Sequence, residues 1–319
     1  MTAVSEAARR VAQLGADAPE LADYQDEPPQ MASGGVGKTG YLRLGFARSG
    51  HRSVLRQMER RVPFLVQRAL YWDEALPQMP CVFVISTSGC ILQGDRLTLE
   101  VQVAPQACGH VTTQSATKIH AMENNYAAQM QTLTLEEGSY LEMMPDPVIP
   151  HCSSRFITDT RITLHPTATL LYGEILMSGR KHHQADRGFR FDVYSSRISA
   201  CRPEGKTLFV ERYVLEPHKH PLNGVGVMGP FDVFGNVILL TPPEHHQRIL
   251  DRIAPHIAPH YDEVEGIASG VSRLPNECGL IFKALGKEAR QVKAAIRAFW
   301  RVAREEILGV TLPEPFIWR

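Results

Sequence analysis

The dominant pattern along the chain, from Tyr41 onward, is the alternation of apolar and polar residues. In Arg96–Val103, every second residue from Leu97 to Val103 is apolar. Similar segments occur at 41–46, 64–71, 81–86, 110–114, 129–135, 156–164, 168–176, 189–193, 207–215 and 231–240. Because proline and glycine separate these short segments, the pattern predicts a mainly β protein with a stacked-sheet, β-helix-like sandwich body. Each strand is expected to have one buried face and one wetter face.

Two helices are predicted in the C-terminal part. Thr241 and Glu244 flank two prolines in a sequence that resembles a capping box, so the first helix is expected at about 242–254. The second is expected at about 287–308, because its apolar residues recur at helical spacing and form one stripe. Between the two helices, 267–273 and 279–284 are predicted to form a strand pair.

Residues 1–38 differ from the rest of the chain. They combine a short alanine-rich stretch with Asp-Glu-Pro-Pro at 26–29 and Ser-Gly-Gly-Val-Gly at 33–37. Such a composition offers little apolar surface to bury, so we expect a flexible leader followed by a single β-rich domain over 39–319.

Composition and charge narrow the range of functions. Lys plus Arg and Asp plus Glu both number 34, so the net charge is zero and a nucleic-acid partner is not expected. No apolar segment approaches the roughly 18 residues that a membrane span needs, and the N-terminus has no signal-peptide pattern. The six cysteines are scattered singly, which favours reduced thiols and a cytoplasmic location.

Two nucleotide-binding patterns occur in unsuitable surroundings. The stretch from Ala32 to Thr39 fits a permissive phosphate-loop pattern, but an alternating strand pattern follows it instead of a helix. Residues 224–229 match the dinucleotide fingerprint, yet Pro230 and another strand pattern follow. Both are interpreted as glycine-rich connections.

Several of the 13 histidines lie close together in the sequence, at 182–183, 218–220, 245–246, and 256 with 260. Imidazole binds nickel, copper and zinc, so a β-rich metallohydrolase that uses these clusters is an alternative function. It would need three converging ligands and an open coordination position.

Four polar residues are further candidates. Asp95 follows a glycine-rich turn and opens a strand, whereas Thr117 and Lys118 end a run of small hydroxylic residues. Glu174 alternates with apolar residues inside 170–177 and shares a strand face with Tyr172. Because burying a lone carboxylate costs several kcal/mol, Glu174 must lie on a wet face or be paired.

In their order and spacing, several segments resemble the UreD family of urease accessory proteins. The resemblance covers residues 40–319 and is carried by 40–46, 63–68, 89–97, 112–119, 144–150, 174–180 and Ile317-Trp318. The chain departs from the usual family pattern at Cys90, at 184–186 and at Phe316.

The resemblance implies a non-catalytic urease maturation factor, or chaperone, with no tightly bound cofactor. It implies binding to UreF, through UreF to the GTPase UreG, and to apo-urease, together with nickel insertion through an internal tunnel. By motif matching, Asp95 and Glu174 would contact nickel transiently, and Thr117 and Lys118 would shape the tunnel. Lys118 would either set strand geometry or attract the bicarbonate that carbamylates the urease active-site lysine.

Overall fold

The structure is a computed structural model of the chain. It describes residues 3–26, 37–181, 183, 188–224, 226–259 and 266–313, with only the backbone for residues 3–5. Ile317-Trp318, the end of the family resemblance, lies outside these residues, and so does most of the phosphate-loop pattern.

The described body is built mainly from β-strands, as the alternating pattern predicts. The strands are β1 Thr39–Ser49, β2 Arg52–Arg61, β3 Phe64–Leu65, β4 Cys81–Ser86, β5 Arg96–Val103, β6 Cys108–Thr113, β7 Thr117–Ile119, β8 Ala127–Leu135, β9 Tyr140–Met143, β10 Val148–Pro150, β11 Arg155–Leu164, β12 Thr169–Met177, β13 Val193–Cys201, β14 Thr207–Leu215, β15 Val233–Leu240, β16 Ile267–Arg273 and β17 Gly279–Gly286. Three α-helices accompany them: α1 Ala3–Gln13, α2 His246–Ile253 and α3 Ala289–Leu308. Among the described helices, none has the length and apolar character needed to cross a membrane.

The strands form two mixed sheets. Sheet 1 has the order β14-β13-β11-β8-β5-β1-β2, and sheet 2 has the order β16-β17-β15-β12-β9-β6-β4-β3; β10 pairs with β12, and β7 pairs with β10. The neighbours β5, β8, β11 and β13 pair in parallel, and so do β4, β6, β9 and β12. Because the chain alternates between the sheets from β4 to β13, these strands wind as in a β-helix, and the predicted mainly β fold is confirmed.

The main core lies between the two sheets. Alternate residues of β5, such as Leu99 and Val101, pack there against Val111 of β6 and Leu170 of β12. A second core lies on the outer face of sheet 2, where α2 and α3 cover it with the predicted apolar stripe around Phe299. The structure therefore places helices on the outer faces and keeps the space between the sheets for strand side chains.

The predicted elements differ from the structure in several places. The sequence pattern missed β2, β7, β9 and β10, and it placed a strand at 189–193 where β13 only begins at Val193. The prediction of a capping box at Thr241 is wrong, because the Thr241 hydroxyl forms a hydrogen bond with the Thr169 hydroxyl and α2 begins only at His246. The structure has its capping box at the start of α3, between Glu288 and Gln291.

Residues 3–26 of the predicted flexible leader are folded instead. Helix α1 and a 3₁₀ turn at Pro19–Tyr24 pack on the outer face of sheet 1, with Val11 and Leu21 fully buried. Ser195 donates a hydrogen bond of 2.7 Å to the buried Glu20 carboxylate. Composition alone missed this docking because the residues that cluster with Val11 and Leu21, such as Ala128 and Ile157, lie more than 100 positions further along the chain.

Candidate functional site

A cavity of about 180 Å³ lies between the two sheets, and its walls are more apolar than polar. Both sheets contribute to these walls, and several of the polar side chains come from the middle of their strands. Those used below are Gln131, Thr158, Tyr172, Glu174 and Tyr194, together with Thr117 and Lys118 on β7. The interior of this β body is therefore not filled by apolar side chains alone.

Glu174 enters the cavity wall because of strand register. It sits opposite Asn236 in the antiparallel pair of β12 and β15. The hydroxyl of Tyr172, two residues earlier on the same strand face, donates to Glu174 Oε1 at 3.2 Å. Ser196 of sheet 1 donates to the same oxygen at 3.5 Å. Of the two alternatives left by the sequence, a wet face or a paired carboxylate, the structure has the paired one.

A hydrogen-bonded network holds Tyr172 in place. Gln131 Nε2 donates to the Tyr172 hydroxyl at 3.0 Å and to Thr160 Oγ1 at 3.0 Å. Burial and the charge of Glu174 raise the pKa of Tyr172 well above its usual value, so the phenol stays neutral and donates to the carboxylate. The network therefore fixes one oxygen of Glu174 and leaves the other for another contact.

Two oxygens of the cavity wall have no partner. Among the residues that the structure describes, neither Glu174 Oε2 nor Thr158 Oγ1 has a hydrogen-bond donor, although both atoms are buried. Burial raises the pKa of Glu174 to about 7, the charge of Glu211 acts in the same direction, and the Tyr172 hydrogen bond only partly opposes them. Such oxygens suit water or a hydrated cation, because a buried acceptor without a donor costs free energy.

Thr117 and Lys118 lie in the same cavity wall, on the short strand β7. The Thr117 amide donates to Pro147 O at 2.9 Å, and β7 pairs in parallel with β10. Lys118 is exposed, whereas Thr117 is half-buried. The two residues therefore lie where the wall meets solvent, and the structure brings them together with Glu174 around one cavity.

Asp95 occupies a different place. Its side chain is fully buried, and its two oxygens accept backbone N–H groups of Lys38 and Leu92, each at 2.8 Å. Burial raises the pKa of Asp95, and these two hydrogen bonds partly oppose the rise. The residues that line the cavity do not include Asp95. The structure therefore shows Asp95 closing the turn before β5.

The histidine clusters do not converge in the described residues. His218 Nε2 lies 3.3 Å from Asp192, whereas His245 Nδ1 lies 3.3 Å from Glu306 on α3. His246 is bonded to the Thr241 carbonyl. Within the described ranges, no group of three or more His, Cys, Asp or Glu residues could hold a metal ion. His182 and His260 lie outside those ranges.

Sequence reasoning missed Gln131, Thr158 and Tyr194 as cavity residues. Gln131 and Thr158 belong to alternating strand segments, where a polar residue is assigned by default to the wetter face, whereas Tyr194 lies just beyond the segment at 189–193. For Gln131 and Thr158 the available signal was an apolar residue two positions away on the same strand face, Leu133 and Phe156 respectively. Such residues point into the space between the sheets, which a single strand pattern does not reveal.

The fold and the cavity define a β-rich protein with an internal space that contains polar side chains and is reached from its surface. Comparisons with known proteins then narrow the class. A family model described as UreD urease accessory protein matches residues 38–319. The urease accessory protein UreD of Photorhabdus laumondii is 75% identical over 316 residues, which cover 99% of this chain and 97% of that protein.

Two further relatives agree. The UreD proteins of Yersinia pseudotuberculosis serotype O:1b and Yersinia enterocolitica serotype O:8 are 66% and 64% identical, and each alignment covers 96% of this chain and 94% of the relative. The chain belongs to the UreD family of urease accessory proteins, so the resemblance seen in the sequence is confirmed. It is accordingly a factor in urease maturation.

Proposed function

We propose that the chain is a cytoplasmic scaffold that binds UreF, through it the GTPase UreG, and apo-urease. In this complex it passes nickel to the urease active site through the cavity between its two sheets. It catalyses no reaction itself and holds nickel only transiently. Family membership supports the maturation role, and the cavity supports the passage.

The observation that carries the proposal is the pair of unpartnered buried oxygens on Glu174 and Thr158. A cation that must move on needs ligands that exchange readily, and oxygen ligands with retained water meet this need. A closed tetrahedral site of cysteine and histidine would instead trap the ion. The cavity walls offer carboxylate, hydroxyl and amide oxygens, with the half-buried Glu174 among the carboxylates.

Thr117 and Lys118 shape the solvent end of this path. The pairing of β7 with β10 fixes their backbone, so a side chain placed there projects from a defined position. In our proposal the exposed Lys118 attracts bicarbonate to this end, whereas nickel passes along the oxygens of Glu174 and Thr158 deeper in the cavity. Asp95 contributes by closing the turn that opens β5.

A genetic experiment tests the maturation role. The gene for this chain is deleted from a host that carries the urease operon and is then restored. We expect urease activity to disappear and return, while the urease subunits remain assembled but contain little nickel. Unchanged activity after deletion would contradict the proposal. Co-purification of tagged chain with UreF and with apo-urease checks the two binding steps separately.

A bulky substitution separates passage from a purely structural scaffold. Thr117→Trp narrows the cavity at its solvent end, and Thr207→Trp places the same bulk on an exposed residue at the start of β14. Both variants should still bind UreF and urease. Only Thr117→Trp should lower the nickel content of urease, and equal nickel loading by the two variants would favour a scaffold without passage.

A further inference from the structure

The hairpin formed by β1 and β2 concentrates positive charge in a protein whose net charge is zero. Residues 40–72 contain seven arginines and one acidic residue, Glu59. The arginines are Arg43, Arg48, Arg52, Arg56, Arg60, Arg61 and Arg68, of which all but Arg43 are exposed. Such a local excess of positive charge attracts an acidic partner even though the net charge of the whole chain is zero.

These arginines have few acidic partners of their own. Arg43 Nε lies 3.9 Å from Glu100, and Arg52 lies over the ring of Tyr71. For the other five, the described part of the chain offers no carboxylate within ion-pair distance. Their charge therefore faces solvent and remains available to another molecule.

Strand β2 also lies at the end of sheet 1. In the described residues its strand partner is β1 alone. The opposite edge of β2 is covered only at its N-terminal end, where Ser53 N donates to Gln78 O. An edge strand presents a row of unpaired backbone donors and acceptors, with which an extended segment of another molecule can form hydrogen bonds. The rest of β2, from Val54 to Arg61, is such an edge.

Exposed apolar side chains occur at the same place. Among the described residues, the large hydrophobic side chains that are exposed are those of Met58, Val62, Tyr71, Val210 and Val227, and the first three belong to this hairpin or its flanks. Protein interfaces combine apolar anchors with arginine at their centre and rim. The apolar residues distinguish this surface from a strand edge that charge merely protects from aggregation.

We infer that the β2 edge is a docking site for an extended acidic segment of a partner protein, which adds to sheet 1 as a strand. Main-chain hydrogen bonds to β2 provide affinity, and the arginines select acidic side chains. A second copy of this chain is a poor occupant, because two such edges would bring like charges together. This inference does not depend on passage of nickel through the cavity.

The test measures binding of labelled model peptides to the full chain by fluorescence anisotropy. The probe alternates glutamate and valine over about eight residues, slightly longer than an average strand. A peptide of the same composition with a central proline keeps the charge but cannot pair as a strand. A lysine-valine peptide and a short single-stranded DNA complete the set.

Two variants of the chain provide the comparison. Arg56→Glu combined with Arg60→Glu reverses charge on β2, and Arg290→Glu combined with Arg301→Glu makes the same change on exposed residues of α3. We expect the acidic peptide to bind the wild type and the α3 variant equally, and the β2 variant at least tenfold more weakly. The proline and lysine peptides should bind weakly to all three.

Several results would overturn the inference. They are absence of acidic-peptide binding, equal binding of the proline peptide, equal affinity of the β2 variant, or tighter binding of the DNA, which would indicate a general polyanion site. If the β2 variant fails to fold, hydrogen exchange of the wild-type chain with and without the acidic peptide tests the inference instead. Bound acidic peptide should then protect the amides of 54–61, and unchanged exchange there would contradict strand addition.

Discussion

Arg304 of α3 and Glu142 of β9 form a fully buried ion pair, with Arg304 Nε 3.3 Å from Glu142 Oε1. The same carboxylate is bonded to His110, Tyr140 and Trp300, and Arg304 also contacts Asp73. Burial alone would raise the pKa of Glu142, but the charge of Arg304 and these hydrogen bonds hold it below its usual value. This network joins the C-terminal helix to sheet 2.

Breaking the pair should strongly destabilise the protein. Arg304→Met leaves the Glu142 carboxylate buried without its cation, and such changes typically cost about 3–5 kcal/mol. The free energy of unfolding from urea denaturation checks this. Arg301→Met, on the exposed side of the same helix, is the control and should change the free energy by less than about 0.5 kcal/mol. Similar values for both variants would mean that the pair contributes little.

Glu174→Gln should change how stability depends on pH. Because the folded pKa of Glu174 is about 7 and its ordinary value is 4.5, the folded state binds the proton more tightly, and stability falls as pH rises between these values. Because glutamine does not titrate, the Glu174→Gln variant does not lose stability in this way as pH rises. The variant should therefore be more stable than wild type above pH 7, by at most on the order of 3 kcal/mol, and about equal below pH 4.5.

Denaturation midpoints of both proteins across this pH range provide the measurement. Glu136→Gln, an exposed residue, serves as the control and should follow the wild type at every pH. A constant difference between Glu174→Gln and wild type would show that the carboxyl titrates in the folded state as it does in the unfolded chain.

Glu20→Gln should loosen the N-terminal segment. Although burial opposes ionisation of Glu20, the hydrogen bond from Ser195 and the ion pair with Arg212 lower its pKa. The stabilisation is therefore present above the ordinary pKa and is lost as pH falls through the folded value. Hydrogen exchange of the α1 amides at neutral pH should be faster in Glu20→Gln than in wild type. The exposed Glu136→Gln variant, outside this segment, should leave the exchange of the α1 amides unchanged.

The two acids singled out in the sequence should respond differently to substitution. Asp95→Ala leaves the buried N–H groups of Lys38 and Leu92 without an acceptor, at a cost of roughly 1–3 kcal/mol each. We expect a large loss of unfolding free energy for Asp95→Ala, and a smaller loss for Asp95→Asn, which keeps one oxygen. If both variants were as stable as wild type while urease activation fell, Asp95 would act in transfer.

The sequence pattern predicts strands with regular alternation well, and it misses strands that are short or lack alternation. Strand β5 alternates cleanly and was predicted with its observed bounds, whereas β2 has arginine where apolar residues would alternate. Strand β9 has only four residues, all buried because both of its faces are covered. The position of β9 between β6 and β12 and the pairing of β2 with its hairpin partner β1 decide these two strands more than local propensity does.

The candidate site was accessible to the sequence only in part. Motif matching selected both Asp95 and Glu174, but it could not show that one closes a turn and the other lines a cavity. That distinction depends on which strands face each other across the two sheets. Thr158 and Gln131 enter the site for the same reason, since their neighbours in space come from other strands.

The most direct test of the account is the nickel content of urease matured with Glu174→Gln in place of the wild-type chain. The substitution keeps the size of the side chain and its contact with Tyr172 but removes the charge. We predict assembled urease with at least tenfold less nickel, while Glu136→Gln supports normal loading and both variants bind UreF. Wild-type nickel content in the Glu174→Gln strain would contradict passage through the cavity.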